Sequence, residues 1–140
     1  MTVAAIAAEG AQVTEITGSY DDAVRLAAKA AGDPEAELVQ DAGWPGYEQV
    51  PGWIVDGYST LFAEVDGQLA AAGAASPALV VIPAGVGSLA QAGVTRYRSR
   101  PGSGATSLLT VEPGTAACIL ASLVRGELAP SRPARRSWPG

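Results

Sequence analysis

Leu79-Val80-Val81-Ile82-Pro83-Ala84-Gly85-Val86-Gly87-Ser88-Leu89-Ala90 is the stretch that decides how this chain folds. A β-branched apolar run reads as a buried strand, two glycines interrupt it, and the small and polar residues that follow can open a helix. Glycines let backbone come close to an anion and turn its N–H groups inward, while a helix N-terminus adds about half a unit of positive charge. Strand, cradle and helix in that order predict a phosphate site.

On either side of this stretch, helical and extended signals alternate. Residues 2–9 read as a helix and 12–16 as a short strand. Ser19 with Asp22 three residues on resembles a capping box, and apolar positions Ala23, Val24, Ala27, Ala28 and Ala31 predict a helix that stops at Gly32. Residues 37–40 read as a second strand ending at Asp41. Beyond the loop at 42–47, Pro51 suits a first helical position, and Ile54, Tyr58, Leu61, Phe62, Val65 and Leu69 repeat at helical spacing. Residues 79–82 form the third predicted strand, 88–97 a helix, 107–112 the fourth strand and 115–125 the last helix. The fold class is α/β: a parallel sheet with flanking helices and ligands at the carboxyl ends of the strands, where Asp41, the glycine loop and Glu112 all lie. Residues 1–126 are expected to form the folded part. Pro130, Pro133 and Pro139 with Arg132, Arg135 and Arg136 mark 127–140 as a disordered tail.

Composition narrows the chemistry. The 140 residues carry a formal net charge of -5 and no histidine. An acidic chain without a broad basic patch is a poor nucleic-acid binder. The lack of histidine removes Ser-His-Asp and Cys-His catalysis and every His-ligated metal site, so no metal is expected. The single Cys118, set in Ala-Ala-Cys-Ile-Leu, reads as a buried, inert thiol. Prolines and glycines interrupt the uncharged span from 67 to 95, so no membrane helix is expected, and without a signal-like N-terminus the chain reads as cytoplasmic.

The residues alone leave the occupant of the loop open. Gly85-Val86-Gly87-Ser88-Leu89-Ala90 satisfies G-x-G-x-x-[GA], and Glu112 at the end of the next strand stands where a ribose-binding acid would lie in an NAD(P)-binding module. A tight strand-to-helix turn that binds nothing has the same sequence. Asp41 reads on its own as a strand-end aspartate capping local backbone, and Trp44, Tyr47 and Trp53 read as packing residues.

Longer segments carry a resemblance. Tyr20-Asp21-Asp22-Ala23-Val24-Arg25-Leu26, Val39-Gln40-Asp41-Ala42-Gly43-Trp44-Pro45-Gly46-Tyr47, Pro51-Gly52-Trp53-Ile54-Val55-Asp56-Gly57-Tyr58, Ala84-Gly85-Val86-Gly87-Ser88 and Val111-Glu112-Pro113 together resemble diaminopropionate ammonia-lyase, a fold type II (tryptophan synthase β-like) pyridoxal-phosphate family. The resemblance runs in order from about residue 2 to about 127. It implies a partial fold type II architecture and α,β-elimination of ammonia from 2,3-diaminopropionate, a small amino acid substrate, to give pyruvate and ammonia. It also implies that backbone N–H groups of Gly85, Val86, Gly87 and Ser88 hold the cofactor phosphate and that Asp41 is the catalytic aspartate whose unprotonated carboxylate removes the α proton of the D substrate. Under it, Glu112 is a strand-end residue near the cofactor.

Two of the family's features do not match. The family holds its cofactor as a Schiff base to a lysine, and the single lysine here, Lys29, falls on a solvated helix face with Asp22 and Arg25. The Asp-Gly-Asn-His segment that contacts the cofactor ring is also absent. The chain is therefore expected to be a central fragment, truncated at both ends and inactive alone, with a non-catalytic, partner-binding role as a further alternative. Strand edges and apolar faces uncovered in such a piece predict self-association into a homo-oligomer.

Overall fold

The computed structural model describes residues 2–98 and 106–129. They divide into two compact units, the first ending at Leu38 and the second beginning at Val39. Among the described residues no helix is long and apolar enough to cross a membrane.

The first unit holds helices α1 (Val3–Ala8) and α2 (Tyr20–Ala30). The capping box at α2 is complete: the Ser19 hydroxyl accepts from the Asp22 N–H at 3.2 Å, and the Asp22 carboxylate accepts from the Ser19 N–H at 2.7 Å. Those Ser19 bonds, with the charge of Arg25 beside them, hold the Asp22 carboxyl below the usual aspartate range. Lys29 is exposed in the last turn. The strand expected at 12–16 does not form. Those residues are exposed and have no ladder partner among the described residues, and a strand exists only as half of a pair.

The strand expected at 37–40 is also missing, and its last residue shows why. The Tyr47 hydroxyl accepts from the Gln40 N–H at 3.0 Å and donates to the Gln40 carbonyl at 3.4 Å, so one phenol takes both backbone groups a ladder would need. Tyr47 is placed by a tight turn. Its N–H reaches the Trp44 carbonyl at 2.8 Å around Pro45 and Gly46, with Gly46 at φ +90° as a type II turn requires, and the Trp44 and Tyr47 rings stack 4.5 Å apart.

Helix α3 (Gln49–Ala71) follows. Pro51 lies third in it instead of first, still within the turn whose N–H groups have no intrahelical acceptor. Of the positions predicted to face inward only Phe62 is fully buried, joined by Val50, Pro51 and Val55. The helix ends in a Schellman motif, with Gly73 at φ +69° donating to the Ala70 carbonyl and Ala74 to that of Leu69.

A βαβ unit completes the fold: β1 (Leu79–Pro83), α4 (Ser88–Arg98) and β2 (Ser107–Val111), then α5 (Cys118–Arg125). The strands are parallel, in register from Leu79 opposite Ser107 to Pro83 opposite Val111. The entry to β2 is held by Thr106, whose hydroxyl donates to the Pro77 carbonyl at 2.8 Å. Val80, Ile82 and Leu108 join the core with Val55 and Phe62 of α3 and Ala90, Ala92 and Tyr97 of α4. Gly93 lets α4 approach this closely, since a β-carbon there would meet the Ile82 Cδ1 at 2.4 Å and the Phe62 Cζ at 3.4 Å. Val81, Leu109 and Val111 on the other sheet face are exposed, unlike the strands of most parallel sheets. Ala129 is buried, its N–H donating to the Ser122 hydroxyl at 3.0 Å, while the rest of the predicted tail, 130–140, lies outside the described residues.

One polar cluster ties α3 to α4. The Asp66 carboxylate accepts from the Arg96 Nε at 2.7 Å and from the Tyr97 hydroxyl at 3.0 Å, and burial, then that carboxylate, push the phenol pKa up. Asp66 and Arg96 are each about a quarter exposed, so solvent screens the pair only in part. Asp66→Ala strands a guanidinium and a buried phenol together, and a loss of about 1–3 kcal/mol in unfolding free energy is expected in urea titrations.

Candidate functional site

The site is built at the carboxyl end of the two strands. Strand pairing extends one step past β1, where the Ala84 N–H donates to the Val111 carbonyl at 2.9 Å, and the backbone then departs through Gly85, Val86 and Gly87. Gly87 takes φ +101°, a conformation costly for any residue with a β-carbon, and its carbonyl accepts the first helical bond of α4 from the Gln91 N–H at 2.8 Å. Ser88 is buried at the first position of the helix. Among the described residues nothing accepts a hydrogen bond from the N–H groups of Gly85, Val86, Gly87 or Ser88. A β-carbon on Gly85 would meet no atom within 4 Å, so no protein neighbour accounts for the absence of a side chain there. The loop thus offers open donors at the positive end of a helix.

Glu112, the residue after β2, has a role that neither sequence reading of it specified. Its carboxylate accepts from the Ile119 N–H at 2.8 Å and the Leu120 N–H at 2.9 Å, capping α5. Each carboxylate oxygen thus already serves a backbone N–H of α5, a capping role that the dinucleotide reading does not call for. The cap also explains why α5 begins at Cys118 and not at 115. Desolvation raises the Glu112 pKa, but the two backbone donors and the Cys118 thiol outweigh it, and the carboxyl sits below the ordinary glutamate value near 4.5. A depressed carboxylate contributes stability above its unfolded pKa and loses it as pH falls through the folded one. The cap is therefore intact at neutral pH and is expected to release below about pH 4.5, read as downfield Ile119 and Leu120 amide resonances moving upfield in an acid titration.

Cys118 is half-buried, and its Sγ lies 3.5 Å from both the Gly85 carbonyl oxygen and Glu112 Oε1. Burial, then the Glu112 carboxylate, push the thiol pKa up, so it is a weak nucleophile. Sequence reading missed its contact with the loop; the six-residue spacing from Glu112 is the only trace of it.

Asp41 is half-buried just before the Trp44–Tyr47 turn. The Oε1 of Gln40 beside it accepts from the Ala42 N–H at 2.8 Å, and the Gln40 Nε2 is buried without a partner. The structure brings Gly85, Glu112 and Cys118 together, and among the described residues no hydrogen bond joins Asp41 to the glycine loop. A groove of about 410 Å³ between α3 and α4, lined by Asp56, Ser59, Gln91, Thr95 and Arg96 among others, contains none of the predicted site residues.

The family model for pyridoxal-phosphate dependent enzymes matches residues 1–138. The chain belongs to this family. Two diaminopropionate ammonia-lyases are similar to it: that of Salmonella typhimurium, 38% identical over 82% of this chain and 28% of its own length, and that of Escherichia coli, 39% identical over 85% and 30%. The solved E. coli holoenzyme superposes with a TM-score of 0.79 at 36% identity, covering 91% of this chain and 32% of that one. A second E. coli structure, in complex with an aminoacrylate-PLP azomethine reaction intermediate, gives a TM-score of 0.80 at 35% identity, covering 91% of this chain and 33% of that one. The chain thus spans about a third of the length of the relatives it matches. Pyridoxal phosphate is the family's cofactor, and the donor set at the loop suits a phosphate monoester: unpaired backbone N–H groups, a helix N-terminus and no side chain at Gly85 or Gly87. A covalent link to the cofactor needs a lysine, and Lys29, the single lysine in these 140 residues, belongs to the exposed surface of α2.

Proposed function

We propose that this chain forms the phosphate-holding segment of a pyridoxal-phosphate dependent lyase that eliminates ammonia from 2,3-diaminopropionate. The observation that carries the proposal is the similarity to diaminopropionate ammonia-lyases over more than four-fifths of the chain, continuous through the glycine loop and the segment around Asp41. When bound, the cofactor supplies an electron sink for the charge left at the substrate Cα. The N–H groups of Gly85, Val86, Gly87 and Ser88 hold its phosphate, aided by the α4 dipole. Asp41 takes the α proton of the substrate, a role that needs an ionised carboxylate within about 3 Å of that proton. The unpaired Gln40 amide beside it is a donor suited to an oxygen of the substrate.

Thermal unfolding tests the binding half of this reading. 4′-Deoxypyridoxine 5′-phosphate, which carries ring and phosphate but no aldehyde to react with Lys29, is expected to raise the unfolding midpoint, while NAD leaves it unchanged. Protection by NAD and not by the pyridoxine phosphate would overturn the assignment. With Lys29 as the single lysine, the 140-residue chain by itself is expected to release no pyruvate from 2,3-diaminopropionate.

A further inference from the structure

We infer that Glu112 is a positioning residue for the glycine loop, acting through Cys118 and the first turn of α5; the inference rests on the reading of Gly85–Ser88 as a phosphate site. Residues Ala84 and Val111 are bonded to each other, so the loop and Glu112 leave the sheet side by side from a fixed point. From there the two Glu112 carboxylate oxygens each take one backbone N–H, of Ile119 and of Leu120. These are donors that the first turn of a helix leaves without an internal acceptor, and the N-cap residue, Ala117, has no side chain that could serve them. The anchored turn touches the loop at Gly85 and comes near it at Gly87. Cys118 Sγ is 3.5 Å from the Gly85 carbonyl oxygen, and Ile119 Cδ1 is 4.0 Å from where a β-carbon on Gly87 would stand.

Two consequences follow for an anion arriving at this end of the sheet. The positive end of α5 is already occupied by a carboxylate from within the chain, which leaves the N-terminus of α4 and the loop as the open donors. The loop, which has few bonds of its own, is backed by a turn that cannot shift without breaking two charge-assisted hydrogen bonds. A carboxylate near a phosphate would otherwise repel it, so positioning and simple charge repulsion make opposite predictions for its removal.

The test uses the 140-residue chain with Glu112→Ala, Glu112→Gln, Cys118→Ala and Cys118→Ser, each studied well below its own unfolding midpoint. In the ligand-free protein, heteronuclear NOE values of the Gly85, Val86 and Gly87 amides are expected to fall in E112A and C118A while those of α3 stay unchanged. C118S, which keeps a donor for the Gly85 carbonyl, restores them, and E112Q, which keeps one acceptor oxygen, lies between. Affinity for 4′-deoxypyridoxine 5′-phosphate is expected to fall about tenfold in E112A, a change of about 1.4 kcal/mol. Unchanged loop relaxation in both E112A and C118A, or tighter binding by E112A, overturns the inference. Should E112A fail to fold, the Cys118 pair decides the matter by relaxation alone. If the wild-type chain does not bind the analogue, the phosphate reading falls, and the relaxation comparison still judges Glu112.

Discussion

Phe62→Ala is expected to lower the unfolding free energy of the unit that begins at Val39 by about 3–5 kcal/mol. Phe62 is 4% exposed and lies between α3, α4 and β1, its ring edge-on to Tyr97 at 5.7 Å and 84°. It is the largest apolar side chain of a cluster whose α4 members are Ala90, Ala92 and Tyr97. Small neighbours cannot move in to refill the space, so the cavity term adds to the lost transfer term. Against a domain stability of about 5–15 kcal/mol, such a loss unfolds a sizeable fraction of molecules near physiological temperature. Urea unfolding followed by Trp fluorescence measures it, and a loss below about 1 kcal/mol would mean that the core is not organised around this ring. Leu61→Ala, one residue away but half exposed, is the comparison and should cost far less.

Gly87→Val is expected to weaken binding of 4′-deoxypyridoxine 5′-phosphate by more than about tenfold. At φ +101° a β-branched side chain clashes with its own backbone, so the loop must rotate to relieve it, and the N–H groups of Val86, Gly87 and Ser88 turn with it. Packing is not the cause, because the nearest neighbour of a β-carbon there is 4.0 Å away. Isothermal titration at a temperature where both proteins are folded checks the prediction, with 4′-deoxypyridoxine lacking the phosphate as the control ligand. The variant should lose the difference between the two ligands. If it keeps the discrimination of the wild type, the phosphate is held elsewhere.

Much of the second unit was legible in the sequence because its signals are local. The β-branched run at Leu79–Pro83, the glycines after it and the apolar period of the following helix each act within a few residues, and strand, loop and helix appear where they were expected. The capping box at Ser19 is local in the same sense. Both failed strand predictions are of the opposite kind. Residues 12–16 and 37–40 have acceptable β-forming composition, but a strand needs a partner, and Tyr47 meets the backbone of Gln40 by a contact seven residues away. The inward face of α3 was misjudged for a similar reason. Apolar spacing selected Phe62, which is buried, but also Tyr58, Leu61 and Val65, which are exposed, and it passed over Val55, which the core takes in with Phe62.

The sequence by itself determined that a strand, a glycine loop and a helix would form here in that order, because glycine conformation and helix capping are properties of a short stretch of backbone. Its longer segments also pointed to the family, since residue types in order survive without any knowledge of contacts. Only the tertiary structure decided what Glu112 does. Nothing in Val111-Glu112-Pro113 indicates whether that carboxylate faces a ligand or the backbone of α5, because the choice depends on where a chain segment seven residues later returns to the sheet. The same return brings Cys118 against Gly85, a contact across 33 residues that local sequence cannot express.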